Sequence, residues 1–178
     1  DVADYIGGFP EHPPRGFETI TYMKAGRMRH RVHLGNEGVI GTGDVQWMTA
    51  GVGVLHSEMP EQEQGLLHGF QIWLNLPAAE KMKPAAYRDI PSDSVTELNL
   101  KAGGLVRVIA GTLIVDDVEL LGSLPPLSTE PIFLDLVLNP SESVNLVFNK
   151  QNTALVHVYS GALNQADDEL KARQMGVF

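Results

Sequence analysis

The residues best equipped for chemistry in this chain are His12, His56 and Glu58. In Val54-Leu55-His56-Ser57-Glu58-Met59 the histidine and the glutamate stand two apart. On a strand, residues at that spacing project from one face, which sets an imidazole beside a carboxylate for a single metal ion. Read alone, the pair fits a surface strand with two polar side chains in water better than it fits a metal site. His12 lies in Glu11-His12-Pro13-Pro14-Arg15, where the proline rings stiffen the backbone. That suits a fixed ligand, and it also suits an ordinary loop. Cysteine is absent, so disulfides, iron–sulfur clusters and thiolate zinc sites are excluded, and any metal must use His, Asp or Glu.

Short segments rich in β-branched and aromatic residues must position these groups. Phe17–Lys24, Met28–Leu34, Val45–Ala50, Val54–Met59 and Leu66–Leu76 read as strands, separated by turns such as Gly35-Asn36 and Gly41-Thr42-Gly43-Asp44. The run Pro77 to Pro84 has helix formers closed off by proline and predicts one helical turn within a linker. A second series follows at Leu105–Ala110, Thr112–Asp116, Pro131–Leu138, Ser143–Phe148, Thr153–Tyr159 and Glu169–Met175. Strand count and spacing suggest an all-β chain of two similar units, residues 1–90 and 91–178. Five of the six histidines lie in the first of these, so a histidine site belongs there.

The chain has 178 residues and a net charge of −9, which argues against a surface that gathers phosphates and so against nucleic acid as a direct ligand. No run of about 18 apolar residues suggests a membrane span, and no secretory leader is visible. A cytoplasmic location is expected. The sequence starts at Asp1 without Met and stops inside an apparent apolar strand at Gly176-Val177-Phe178, so both ends are expected to be incomplete.

Four stretches together carry a resemblance. They are Gly8 to Tyr22 (with Glu11-His12-Pro13-Pro14-Arg15-Gly16-Phe17-Glu18-Thr19), Gly43 to Gly51, His56-Ser57-Glu58-Met59-Pro60, and His68-Gly69-Phe70-Gln71-Ile72-Trp73-Leu74-Asn75-Leu76. This set closely resembles the pirin family of bicupins, densely over residues 7 to 90 and loosely beyond. The resemblance implies two antiparallel jelly-roll β-barrels facing each other; with His157 as its single histidine, the C-terminal one is expected to be free of metal. It implies a non-heme metal in the N-terminal barrel, foremost Fe(II), with Mn, Co, Ni, Cu or Zn as alternatives. For some members it implies dioxygenase activity on flavonols such as quercetin, and for others a metal-dependent protein partner.

The family's ligands are two histidines of a His-Pro-His motif plus the His and Glu of His-x-Glu-Met-Pro. Carried over, they give His12, His56 and Glu58 as metal ligands. Pro14 stands where the other histidine is expected, and Val52 replaces an arginine common between the two glycines. Two histidines and a carboxylate still make the facial triad of non-heme Fe(II) oxygenases. His30 or His33 would be an alternative ligand, though surface polarity beside Arg29 and Arg31 is the simpler reading of both. Glu18 reads as a carboxylate supporting the ligands or an edge charge, and His68, Trp47 and Trp73 as core residues. His157 reads as structural. Three functions follow: a flavonol dioxygenase with Glu58 taking the substrate's hydroxyl proton, a redox-responsive protein-binding module without turnover, and a metal-free scaffold.

Overall fold

The computed structural model describes residues 2–33, 35–149, 151–165 and 168–178. Leu34, the expected end of one strand, lies outside them. The chain is almost entirely β. Its first half contributes β1 (Phe9–His12), β2 (Phe17–Ala25), β3 (Met28–Val32), β4 (Glu37–Ile40), β5 (Val45–Thr49), β6 (His56–Pro60), β7 (His68–Asn75) and β8 (Ala86–Ile90). These form two antiparallel four-stranded sheets, ordered β1-β6-β3-β4 and β7-β2-β5-β8. The expected helical turn in the linker is a short 3-10 helix at Ala78–Glu80.

The second half holds β9 (Thr96–Asn99), β10 (Leu105–Ala110), β11 (Thr112–Val115), β12 (Val118–Leu121), β13 (Phe133–Val137), β14 (Leu146–Val147), β15 (Leu155–His157), β16 (Ala162–Gln165), β17 (Asp168–Lys171) and β18 (Met175–Val177). They pair as β13-β10-β9, β12-β11-β14, β15-β18 and β16-β17. The expected strand Glu169–Met175 is two strands, parted by a turn in which Arg173 has φ 73°. Among the described residues the closed barrels expected from the sequence are not formed: each sheet is open, and β15 and β18 leave Leu155, Met175 and Val177 well exposed.

Strand β2 shows how alternation builds two interiors. Ile20 and Tyr22 point to one face, where they pack with Val45, Ile90, Ile109 and Leu124 in a core drawn from both halves of the chain. Burying a side chain such as Ile20 stabilises the fold by about 1.5–3 kcal/mol. Glu18 shares this face, fully buried, with Thr49 Oγ1 donating to it at 2.7 Å and Lys83 Nζ at 2.9 Å. It therefore belongs to the core face, and neither the supporting role near the ligands nor the edge-charge role expected of it applies. Thr21 points the other way, into the space between the two four-stranded sheets, where it meets Gln71.

Tyr22 also reaches across the molecule. Its hydroxyl donates to Asp135 Oδ2 at 2.8 Å, Lys24 Nζ donates to the same oxygen at 2.6 Å, and Tyr159 donates to Oδ1 at 2.9 Å. Asp135 lies on β13, so this network ties the two halves together.

Candidate metal centre

Register on one sheet assembles the site. β6 runs between β1 and β3, with His12 opposite His56 on one side and His30 opposite Glu58 on the other. His56 and Glu58 are two apart and share a face, and directly opposed residues on neighbouring strands have Cβ atoms about 5 Å apart. His30, His56 and Glu58 are thereby brought together, and His12, outside that group of three, meets it through His56. Pro10 within β1 is tolerated because β1 is an edge strand. A register shift between Phe9 and His12 lets β1 bring the histidine into line. Gly8, at φ +54°, admits the chain there: a Cβ would lie 2.8 Å from the Glu58 carbonyl oxygen.

His30, His56 and Glu58 are buried, at 0%, 3% and 4% exposure, and one ligating atom from each lies within 4.8 Å of the others. His12 is half-buried, and its Nε2 is 2.8 Å from His56 Nε2. Two nitrogens held by one ion at about 2.1 Å along perpendicular bonds would sit about 3 Å apart, so the spacing fits a shared ion. It also fits one imidazole donating to the other. The buried nitrogens discriminate further. His30 Nδ1 and Nε2 and His56 Nδ1 have no hydrogen-bond partner, an arrangement that costs about 1–3 kcal/mol per group unless something else satisfies it. The residues present therefore fit a metal.

Electrostatics point the same way. Burial pushes His30 down to about 4, partly opposed by Asp89, and pushes His56 down to about 4, assisted by the charges of His12 and His30. Both rings are neutral at pH 7, with lone pairs free to bind. Burial raises the Glu58 carboxyl, opposed by the hydrogen bond from Gln71 and by His12. Gln71 Nε2 donates to Glu58 Oε1 at 2.7 Å.

The facing sheet supplies the remaining wall. His30 stacks on Tyr87, ring centroids 4.8 Å apart and planes 10° from parallel. Tyr87 donates to Asp89 Oδ1 at 2.5 Å and accepts from Gln46 Nε2 at 3.0 Å. Val32, Met48, Ala50 and Val54 form an apolar cluster beside it. Pro14 is buried, and its carbonyl accepts the Val54 N–H at 3.2 Å.

Several expectations need correction. His30 is not surface polarity: it is fully buried among the candidate ligands. The opposite parity of His30 and His33 was the available signal, and Val32, buried two residues on from His30, shows which parity faces inward. His33 is on the surface, its Nδ1 accepting the Leu55 N–H at 2.9 Å. Trp73 is not a core residue, being 66% exposed, whereas Trp47 packs against the shared core. His68 packs its ring against Phe70 and Tyr159, and the exposed His157 lies edge-on to Phe70.

A family model described as Pirin matches residues 1–74. A Pseudomonas aeruginosa protein provisionally named a quercetin 2,3-dioxygenase is 48% identical over 160 residues, covering 90% of this chain and 56% of the relative. Human Pirin is 37% identical over 170 residues, covering 94% of this chain and 56% of that protein. The crystal structure of a quercetin 2,3-dioxygenase from Acinetobacter baumannii superposes with a TM-score of 0.85 at 34% identity, over 96% of this chain and 59% of that one. The chain spans 56–63% of the length of three bacterial relatives with which it shares 42–48% identity. With sequence identity this high across nearly its whole length, the chain belongs to the pirin family.

Proposed function

We propose that the chain forms a mononuclear metal site from His12, His56 and Glu58, with His30 in the place that Pro14 leaves without a ligand, and that it serves as a flavonol dioxygenase of the quercetin type. The observation that carries this reading is the convergence of three buried ligating side chains within 4.8 Å, with both nitrogens of His30 unpartnered. Three imidazoles and a carboxylate suit a divalent transition metal, and Fe(II) with open positions is the assignment that fits oxygen chemistry. When bound, such an ion would act as a Lewis acid toward enediol oxygens and as a redox centre for O₂.

The chain's own residues supply the rest. Glu58, its carboxyl raised by burial, is a stronger proton acceptor than an ordinary carboxylate and would take the proton of an acidic enol hydroxyl. Gln71 holds one of its oxygens. Tyr87 keeps the His30 ring in plane by stacking on it, and the Val32–Met48–Val54 cluster keeps water from that side. The same reading takes residues 1–90 as the metal-bearing cupin unit of a cytoplasmic bicupin and 91–178 as its metal-free companion.

The test is metal content followed by turnover. Protein reconstituted without oxygen in Fe(II) should retain about one equivalent after desalting and then bleach quercetin's visible absorbance on admission of air. If protein loaded in turn with Fe(II), Mn(II), Co(II) and Ni(II) leaves that absorbance unchanged, the dioxygenase reading is wrong.

A further inference from the structure

Trp73 is unusual among the large side chains of the first half: it is 66% exposed, yet it is held in a fixed orientation. Its ring stacks on Phe17, centroids 4.8 Å apart and planes at 23°. Its Nε1 donates to Gln71 Oε1 at 3.1 Å, two residues away on the same face of β7. An indole N–H can only donate, so the oxygen of the Gln71 amide must face Trp73. The amide nitrogen is thereby turned inward, where it donates to Glu58 Oε1 at 2.7 Å and to Thr21 Oγ1 at 3.3 Å. Without the indole, the amide would be held at its nitrogen end alone, by Glu58 and Thr21.

From this chain of contacts we infer that Trp73 is a positioning residue for Glu58, acting through Gln71: Phe17 sets the indole plane, the indole N–H sets the amide, and the amide sets the carboxylate. Orientation is passed from an exposed ring to a buried ligand through one neutral side chain that cannot titrate. The role rests on Glu58 being a metal ligand, as proposed above. It goes beyond that proposal in giving an exposed aromatic control over how the carboxylate is presented. Outer-shell partners that orient ligands typically change metal affinity by about 10–100-fold when removed.

Two measurements test it. In metal-free protein, the Trp73 indole N–H signal, assigned by its disappearance in Trp73→Phe, should move upfield and exchange faster with solvent in Gln71→Leu. The Trp47 indole, which has no hydrogen-bond partner, should not respond. An unmoved Trp73 signal overturns the relay without reference to any metal. In the second measurement, Co(II) affinity is read by chelator competition. Gln71→Leu should lose about tenfold, at the lower end for such partners. Trp73→Phe, which keeps a ring against Phe17 but lacks the N–H, should lose several-fold. The double variant should bind as Gln71→Leu does, because Trp73 acts only through Gln71. Losses that multiply in the double variant, or an unchanged affinity in Trp73→Phe, overturn the inference. A parent protein that takes up no Co(II) overturns the metal site itself, a result the indole signal keeps separate from failure of the relay.

Discussion

Consecutive residues of β2, Thr21 and Tyr22, point into two buried polar clusters of opposite character. Tyr22 leads to Asp135, both of whose carboxylate oxygens are used: Oδ2 by Tyr22 and Lys24, Oδ1 by Tyr159. Thr21 leads through Gln71 to Glu58 and so to His30 and His56, where three imidazole nitrogens have no partner. Among the described residues, isolated orphans occur elsewhere, at Glu18, Trp47, Glu61 and Arg107, but only here do they gather on adjacent ligating side chains. A saturated network is a device for holding segments together, and an unsaturated one is kept for something else to bind.

Breaking the saturated cluster should have the larger effect on folding. Asp135→Ala strands the Lys24 ammonium and two tyrosine hydroxyls, and removing one partner of a buried charge pair costs on the order of 3 kcal/mol. Urea unfolding should show that loss, while Co(II) affinity, some distance away, changes less than about twofold. A comparable loss of metal affinity would mean that the two clusters are not separate.

The unsaturated cluster should respond in the opposite sense. His56 is central to it, paired with His12 across one strand boundary and two residues from Glu58. His56→Ala should lower Co(II) affinity on the order of 100-fold, at or beyond the limit for outer-shell partners. The metal-free variant should melt close to the parent, because what is removed was a buried ring with an unsatisfied nitrogen. A melting loss as large as that of Asp135→Ala would show that the imidazole is held for packing.

Acid separates the clusters without mutation. His30 and His56 have folded-state values of about 4, below the ordinary 6.5, so the unfolded chain takes up protons first as pH falls. Their contribution is fully present above about pH 6.5 and is lost progressively down to about pH 4. Metal should be released only toward the lower end of that interval, near pH 4, because the folded imidazoles stay neutral above it and protonated imidazole cannot bind the ion. The tyrosines of the Asp135 cluster are raised above 10, so their contribution is constant there and is lost only as pH rises beyond that value. Denaturant midpoints from pH 4 to 8 should fall on the acid side in the parent and flatten in His30→Ala. An equal slope in both would remove His30 from the site.

How much of this could be read in advance follows the same division. Spacing put His56 and Glu58 on one face, because a period of two survives any tertiary context, but only the wider resemblance set the pair apart from an ordinary surface strand; the long strands β2, β7 and β10 were legible through their runs of apolar and β-branched residues. Strand β1 was hidden by Pro10, and β4, β8 and β12 by short length and charge. These are strands paired by their neighbours' backbones more than by their own pattern. His30 was misjudged for a related reason. Flanked by Arg29 and Arg31, it looked like surface, whereas those arginines reach outward to Glu37 and Glu61 while the strand's other face turns inward. Nor did the sequence reveal Asp135, whose partners are up to 113 residues away.

The smallest expected effect is the sharpest for the site's composition. Pro14 is buried, and its carbonyl accepts the Val54 N–H, a bond that the backbone of any residue at position 14 can keep. Pro14→His would restore the histidine found in the family motif. If the metal had only His12, His56 and Glu58, a fourth ligand should tighten Co(II) binding by tenfold or more, judged by what single partners contribute. His30, however, already lies with His56 and Glu58 within 4.8 Å, with both nitrogens unpartnered. The added imidazole then competes for a filled position, and the gain should stay below about threefold, within the scatter of an interaction that another residue already makes. In the His30→Ala background the same substitution should recover most of the lost affinity. Equal gains in both backgrounds would show that His30 is no ligand and that the site is left with the three residues the motif supplies.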